Sequence, residues 1–251
     1  MEMEKNEKRK AENDTVKLKH SLGVKPIEKG VDIFFQNNSA ADNFMEMSEE
    51  KSWINTCGLD LDGISRKKKK ISLKDVIPQI KNSINVIVEK LKDLKKFMIS
   101  TYEYVNEDAL ISHEYAFLNP PKNIKNIYVR AYHILQANVM AIVQLLKQFD
   151  KEDDAYLTKL EGIKGDLRVL LCNVQLILIS EGLDYNDVTE DIMSDAFKNT
   201  KGAFKIEKHF IAIRQIHVNM SYLSDEFKKA NLKYVNKYKI SEELKDEHPT
   251  I

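Results

Sequence analysis

Apolar residues recur every three or four positions in four long stretches of this chain, with polar residues between them. In the first, Val76, Ile77, Ile80, Ile84, Ile87, Val88, Leu91, Leu94 and Met98 fall on one face of a helix. Ser72 or Asp75 can cap it, Pro78 falls near its first turn, and Lys81, Glu89, Lys92, Lys95 and Lys96 occupy the opposite face. This helix fades near Tyr104. A second helix is predicted over about residues 124–149, with Ile127, Tyr128, Ala131, Leu135, Val139, Ile142, Leu146 and Phe149 on one side. It follows FLNPPKN, whose Pro120 and Pro121 stop any preceding helix and stiffen the approach to the next. A third spans about 155–181, with Leu157, Leu160, Ile163, Leu167, Leu170, Leu171, Val174 and Ile177 inward and Gly182 as its stop. The fourth spans about 204–234, with Phe210, Ile213, Ile216, Met220, Leu223 and Phe227.

The connections between these helices are long, short and long. DKEDDA at 150–155 is a link of the length that joins antiparallel neighbours, and its acids favour the helix that follows. About twenty residues precede the second helix, and more than twenty, rich in Asp, Asn, Ser and Thr, precede the fourth. A connection that long can carry the chain the full length of a helix, so that successive helices point the same way. The predicted fold is therefore all-α: a long-chain four-helix bundle, up-up-down-down with two long crossover loops, over residues 71–240. DVTEDIMSDAF in the last connection predicts one short helix. Residues 1–70 are expected to form a polar, disordered leader in which VDIFF and SWINTC are the apolar islands, and residues 241–251 a frayed acidic tail.

Composition narrows the function classes. Glycine (8) and proline (5) are scarce and apolar residues reach 43 %, as a helical core requires. Lys+Arg and Asp+Glu are both 39, so no excess of cations remains to displace phosphate counterions, which argues against a nucleic-acid partner. No apolar run approaches the ~20 residues that cross a bilayer. The opening MEMEKNEKRKAEND has no apolar core of a secretory signal, and read literally it places the chain in the cytosol.

Catalytic patterns are missing. The six histidines are scattered, and His209 and His217 lie eight apart, two helical turns, too far to share a metal without other ligands. Glu152, Asp153 and Asp154 read as a helix-start charge run. There is no glycine-rich phosphate loop, no nucleophile elbow and no Glu-x-x-His pair. The expectation is a non-enzyme with no catalytic residue, no metal and no cofactor.

Several strings carry a resemblance. They are Asp166-Leu167-Arg168-Val169-Leu170-Leu171-Cys172-Asn173-Val174, Asp187-Val188-Thr189 in the last connection, Ala203-Phe204-Lys205 at the fourth helix, and Pro120-Pro121 with Tyr128 and Tyr132. In these the core resembles the interleukin-6 class of four-helix cytokines, and is similar to leukaemia inhibitory factor, ciliary neurotrophic factor and the arthropod Unpaired ligands. The resemblance implies a secreted, monomeric ligand that assembles cell-surface receptors of the signal-transducing interleukin-6 receptor type and activates JAK/STAT signalling. An intracellular helical interaction module, an adaptor or effector, is the alternative.

In that class one receptor patch lies on the first and third helices, which here implies Asn85, Glu89, Lys92 and Lys96 with Lys159, Gly162 and Asp166. Gly162 and Gly165 each cost about 1 kcal/mol inside a helix relative to alanine. Close approach of a partner backbone would explain them; a tolerated weak spot is the alternative. A second patch centres on a Phe-x-x-Lys element at the start of the fourth helix, implying Phe204, Lys205 and Lys208. Here Glu207 stands three residues after Phe204 and Lys208 four, and one residue turns a side chain by about 100°. Phe204 as a core or capping aromatic stays open.

The resemblance also implies a bridge between Cys57 and Cys172, against which stands a pair of reduced cytosolic thiols. Glycosylation sequons begin at Asn13, Asn37 and Asn219. The basic run RKKKK at 66–70 reads as a solvated linker, a processing site or a nuclear-import signal.

Overall fold

The computed structural model describes residues 53–57, 73–102, 105, 107–110, 113–148, 154–200 and 204–246. Asn13, Asn37 and the basic run at 66–70 lie outside them. The described residues belong to one compact unit that begins at Met47.

The four periodic stretches are four long helices: α1 (Leu73–Thr101), α3 (Ile127–Gln148), α4 (Asp154–Glu181) and α6 (Lys205–Asp246). Two short helices lie in the long connections, α2 (Glu107–Leu110) and α5 (Asp195–Lys198), each accompanied by a single 3-10 turn, Ala116–Leu118 and Glu190–Ile192. DVTEDIMSDAF thus forms two short pieces where one helix was expected, because Ser194 interrupts it. Ser194 Oγ accepts the Phe197 N–H and starts α5 afresh.

Helix ends follow local chemistry. Asn126 Oδ1 accepts the N–H groups of Tyr128 (2.9 Å) and Val129 (3.3 Å), so α3 begins at Ile127 and not at 124. At the end of α4, Gly182 takes φ 62°, its N–H returns to the Ile179 carbonyl and the Leu183 N–H to that of Leu178. Only a residue without Cβ adopts that turn cheaply. Pro78 lies in the second turn of α1, where it removes one backbone bond without ending the helix. The fourth helix continues to Asp246, past the predicted end at 234.

Side-chain contacts fix how the long helices run. Between α3 and α6, Tyr128 packs on Phe227, Arg130 bonds Tyr222, Asn138 bonds Asn219 and Gln148 bonds His209, so one sequence rises as the other falls. Between α1 and α4, Lys90 pairs with Asp166 and Lys159 lies over Phe97, again antiparallel. The link between α3 and α4 spans five residues, and Glu181 acts on Tyr128 across their far ends. The predicted inward positions Ile77, Ile80, Ile84, Ile87, Leu91, Leu94 and Met98 of α1 are all buried, with Leu135, Val139 and Ile142 of α3, Leu160, Leu167 and Val174 of α4, and Phe210, Ile216 and Phe227 of α6.

The two long connections are strapped to these helices by polar side chains. Gln215 donates to the Tyr115 carbonyl (2.9 Å) and accepts its N–H (2.8 Å), while Asn219 donates to the Leu118 carbonyl (2.7 Å) and to Asn138 Oδ1 (3.1 Å). Arg214 reaches the carbonyls of Leu110 and His113. On the other connection, Gln144 and Gln148 donate to the carbonyls that end α5, and Gln136 and Tyr132 donate to Asp187. Phe197 of the second connection stacks edge-on against Tyr115 and Phe117 of the first.

Residues 53–57 depart from the expected leader. Trp53, the one tryptophan of the chain, is 2 % exposed. Its indole N–H donates to the Val188 carbonyl (3.0 Å), while Gln136 donates to the Trp53 carbonyl (3.2 Å) and accepts the Val188 N–H (2.9 Å). Cys57 is bonded to Cys172 of α4 across a sequence separation of 115. Trp53 and Thr56 are buried and Ile54, Asn55 and Cys57 half-buried, so this segment packs on the bundle and is not part of a disordered leader. The sequon at Asn219 needs a second correction: its side chain is 1 % exposed and engaged on both sides. The folded chain has no room for a glycan there.

Trp53→Ala is expected to cost about 3–5 kcal/mol, and Cys172→Ser about 2–5 kcal/mol, both read as lower urea midpoints at unchanged slope. Glycopeptide mapping of protein made in a secretory cell is expected to find Asn219 unmodified. Asn219→Ala is expected to lose about 1–3 kcal/mol by leaving the Leu118 carbonyl and Asn138 without their donor.

Candidate receptor-binding faces

The first implied patch lies on two adjacent helices. On α4, Lys159, Gly162 and Asp166 are spaced at three and four residues and share one line. Asp166 pairs with Lys90 of α1, and Lys159 Nζ lies 5.5 Å from the centre of the Phe97 ring, so both also tie the two helices together. Both pairs are solvent-exposed and each is worth a fraction of a kcal/mol to about 1 kcal/mol. On α1, Glu89, Lys92 and Lys96 are exposed, with Lys92 paired to Glu89 and Lys96 to Asp93. Asn85 shares one stripe of α1 with Glu89, Lys92 and Lys96, and its Oδ1 accepts the Ser224 hydroxyl of α6 (2.9 Å), so this stripe borders α6.

Three residues that the sequence reading did not assign to this face complete it. Val86 is 52 % exposed and Val169 is 60 % exposed. Val86 stands off the inward series of α1, and that misplaced valine was the available signal. Lys90, the partner of Asp166, is the third. The glycines between them are informative: a Cβ added at Gly162 or Gly165 would meet nothing within 4 Å. No packing inside the described structure demands a glycine at either place.

The second implied patch starts at Phe204. Its ring is 67 % exposed, so it is not a core aromatic. The Lys208 N–H donates to the Phe204 carbonyl, one turn back, so the displaced lysine still rises on the same side of the helix start. Lys205 and Lys208 are half-buried, and the Lys208 carbonyl accepts the Tyr115 hydroxyl (3.4 Å).

Buried polar groups near these faces are tuned by their surroundings. Burial pushes the Tyr115 hydroxyl up to about 12. Tyr132 is raised first by burial and then by its bond to Asp187. Burial lowers His133, against the opposing charge of Asp187. Among the described residues no group of His, Cys, Asp and Glu could hold a metal ion, and no helix is long and apolar enough to cross a membrane.

A family model described as Unpaired protein matches residues 27–187, more than half of the chain. That span opens within the expected leader, takes in Trp53, Cys57, Cys172 and the helices α1, α3 and α4, and stops in the second long connection. No curated protein and no solved structure matches the chain. Among the likenesses drawn from its motifs, the family match supports the Unpaired one. The chain belongs to the Unpaired family, arthropod interleukin-6-like cytokines that act as ligands of JAK/STAT signalling.

Proposed function

We propose that this chain is a secreted, monomeric ligand built as an up-up-down-down four-helix bundle, which brings receptor chains together through two separate faces. The antiparallel pairs α1–α4 and α3–α6, joined through the short α3–α4 link, support that topology. They make α1 parallel to α3 and α4 parallel to α6. The α1–α4 face meets a signal-transducing cytokine receptor chain, with Val86, Lys90, Gly162, Gly165 and Val169 at its centre. The α6 start, with Phe204 and Lys208, meets a second receptor chain. The Cys57–Cys172 disulfide supports an oxidising, extracellular setting.

The observation that weighs most is the line Gly162–Gly165–Val169. Two glycines cost the helix about 2 kcal/mol together, and empty space surrounds both. A partner backbone seated against α4 gives that cost a return, because it can approach where no side chain stands.

The double variant Gly162→Ala/Gly165→Ala separates folding from binding. It is expected to raise the unfolding free energy by about 1–2 kcal/mol and to weaken receptor engagement about tenfold or more, read as the concentration giving half-maximal STAT phosphorylation on responsive cells. Full potency in the stabilised variant sinks the assignment of this face. Phe204→Ala is expected to leave stability within about 0.5 kcal/mol and to reduce STAT phosphorylation while receptor binding through α1 and α4 persists. Equal signalling by that variant removes the second face.

A further inference from the structure

Charge on the outer side of α4 repeats with its sign inverted. Lys159 and Asp166 stand seven residues apart, as do Glu161 and Arg168, so each pair lies along one line of the helix, two turns apart. Lys159 and Asp166 form the flank toward α1, where they meet Phe97 and Lys90. Glu161 and Arg168 form the opposite flank. Between the flanks run Thr158, Gly162, Gly165 and Val169, all exposed. The register that sets Lys90 on Asp166 and Phe97 on Lys159 also brings the exposed Val86 of α1 beside Val169. A receptor partner does not by itself require the inverted signs.

We propose that this face of α4 pairs with the same face of a second copy of the chain, in an antiparallel, twofold-symmetric dimer that releases monomer on dilution. A twofold axis sets one surface against itself. With the axis crossing α4 between Ile163 and Lys164, Lys159 comes opposite Asp166 of the second copy on one flank. On the other flank Glu161 comes opposite Arg168 of the second copy, and the axis repeats both matches. A parallel pairing loses them, because it brings Glu161 against Asp166 of the other copy.

The centre of the contact fits the same register. Gly162 of one copy meets Gly165 of the other at the crossing, where a Cβ would find open space, so the two backbones can approach closely. Val169 lies over Thr158 of the second copy, which takes that valine out of water. Cys172, to which residues 53–57 are attached, comes level with Ala155, whose side chain is a single methyl. Each copy thus covers the exposed glycines and Val169 of the other, and the dimer is a stored form whose α1–α4 face is closed. That consequence rests on the receptor reading of this face; the pairing itself does not.

The test is sedimentation equilibrium of the disulfide-bonded full chain over a range of concentrations, with no receptor present. Wild type is expected to pass from monomer to dimer as concentration rises. Lys159→Glu sets acid against acid and Asp166→Lys sets cation against cation, so each alone is expected to weaken dimerisation about tenfold or more. Mixed one to one, the two variants are expected to pair about as tightly as wild type, since every contact between them again joins opposite charges. That recovery also shows that both variants fold. Should either fail to fold, Glu161→Arg and Arg168→Glu repeat the experiment on the other flank. A wild-type chain that stays monomeric at every concentration overturns the dimer and leaves this face to other partners. A mixture that associates no better than its components overturns it as well. The receptor faces are tested apart from this, by STAT phosphorylation with dilute, monomeric protein.

Discussion

A long connection laid against an apolar core brings backbone N–H and C=O groups with no ladder to satisfy them, and each one left bare costs on the order of 1–3 kcal/mol. This fold has two such connections, and the rest of it is arranged around that debt of hydrogen bonds. Gln215 and Asn219 of α6 hold the first connection at Tyr115 and Leu118. Gln136, Gln144 and Gln148 of α3 hold the second at Val188, Lys198 and Phe197. These amides occupy otherwise apolar helix faces, and several are as buried as the leucines around them. Amides suit the task because each offers both donors and an acceptor and carries no charge to desolvate.

The straps also decide which surface stays open. Their side chains come from α3 and α6, so the connections run over that side of the molecule. The outer face shared by α1 and α4 carries Val86, Val169 and two glycines in the open. The strapped long connections and the open face are thus two sides of one arrangement.

Much of this was legible in the sequence, because a three/four period over several turns has few readings other than a buried helix stripe. Ile80, Ile84, Ile87 and Leu91 needed nothing more. The ends were harder. Asn126 sits within an otherwise continuous pattern, and only its side-chain bonds to Tyr128 and Val129 show that α3 waits for it. Trp53 was hidden by its polar neighbours: five residues make no period, and their burial depends on Gln136 and Val188, far away in sequence. Asn219 reads as a sequon locally and is a core strap globally, since its partners are a hundred residues upstream in Leu118 and eighty in Asn138. For Phe204 the local sequence left a surface residue and a core aromatic both open, and only its exposure separates them.

The disulfide divides the chain topologically as well as stabilising it. Its covalent ring runs from Cys57 to Cys172 and encloses α1, the first connection, α3 and most of α4. Of the four long helices, α6 alone lies wholly outside that ring and is seated by non-covalent packing against α1 and α3. A pull on the two ends of the molecule would therefore peel α6 away first and then meet a loop of fixed contour that cannot be drawn out. Under load, the ring and the helix laid against it are mechanically different parts, and the helix is the one that yields.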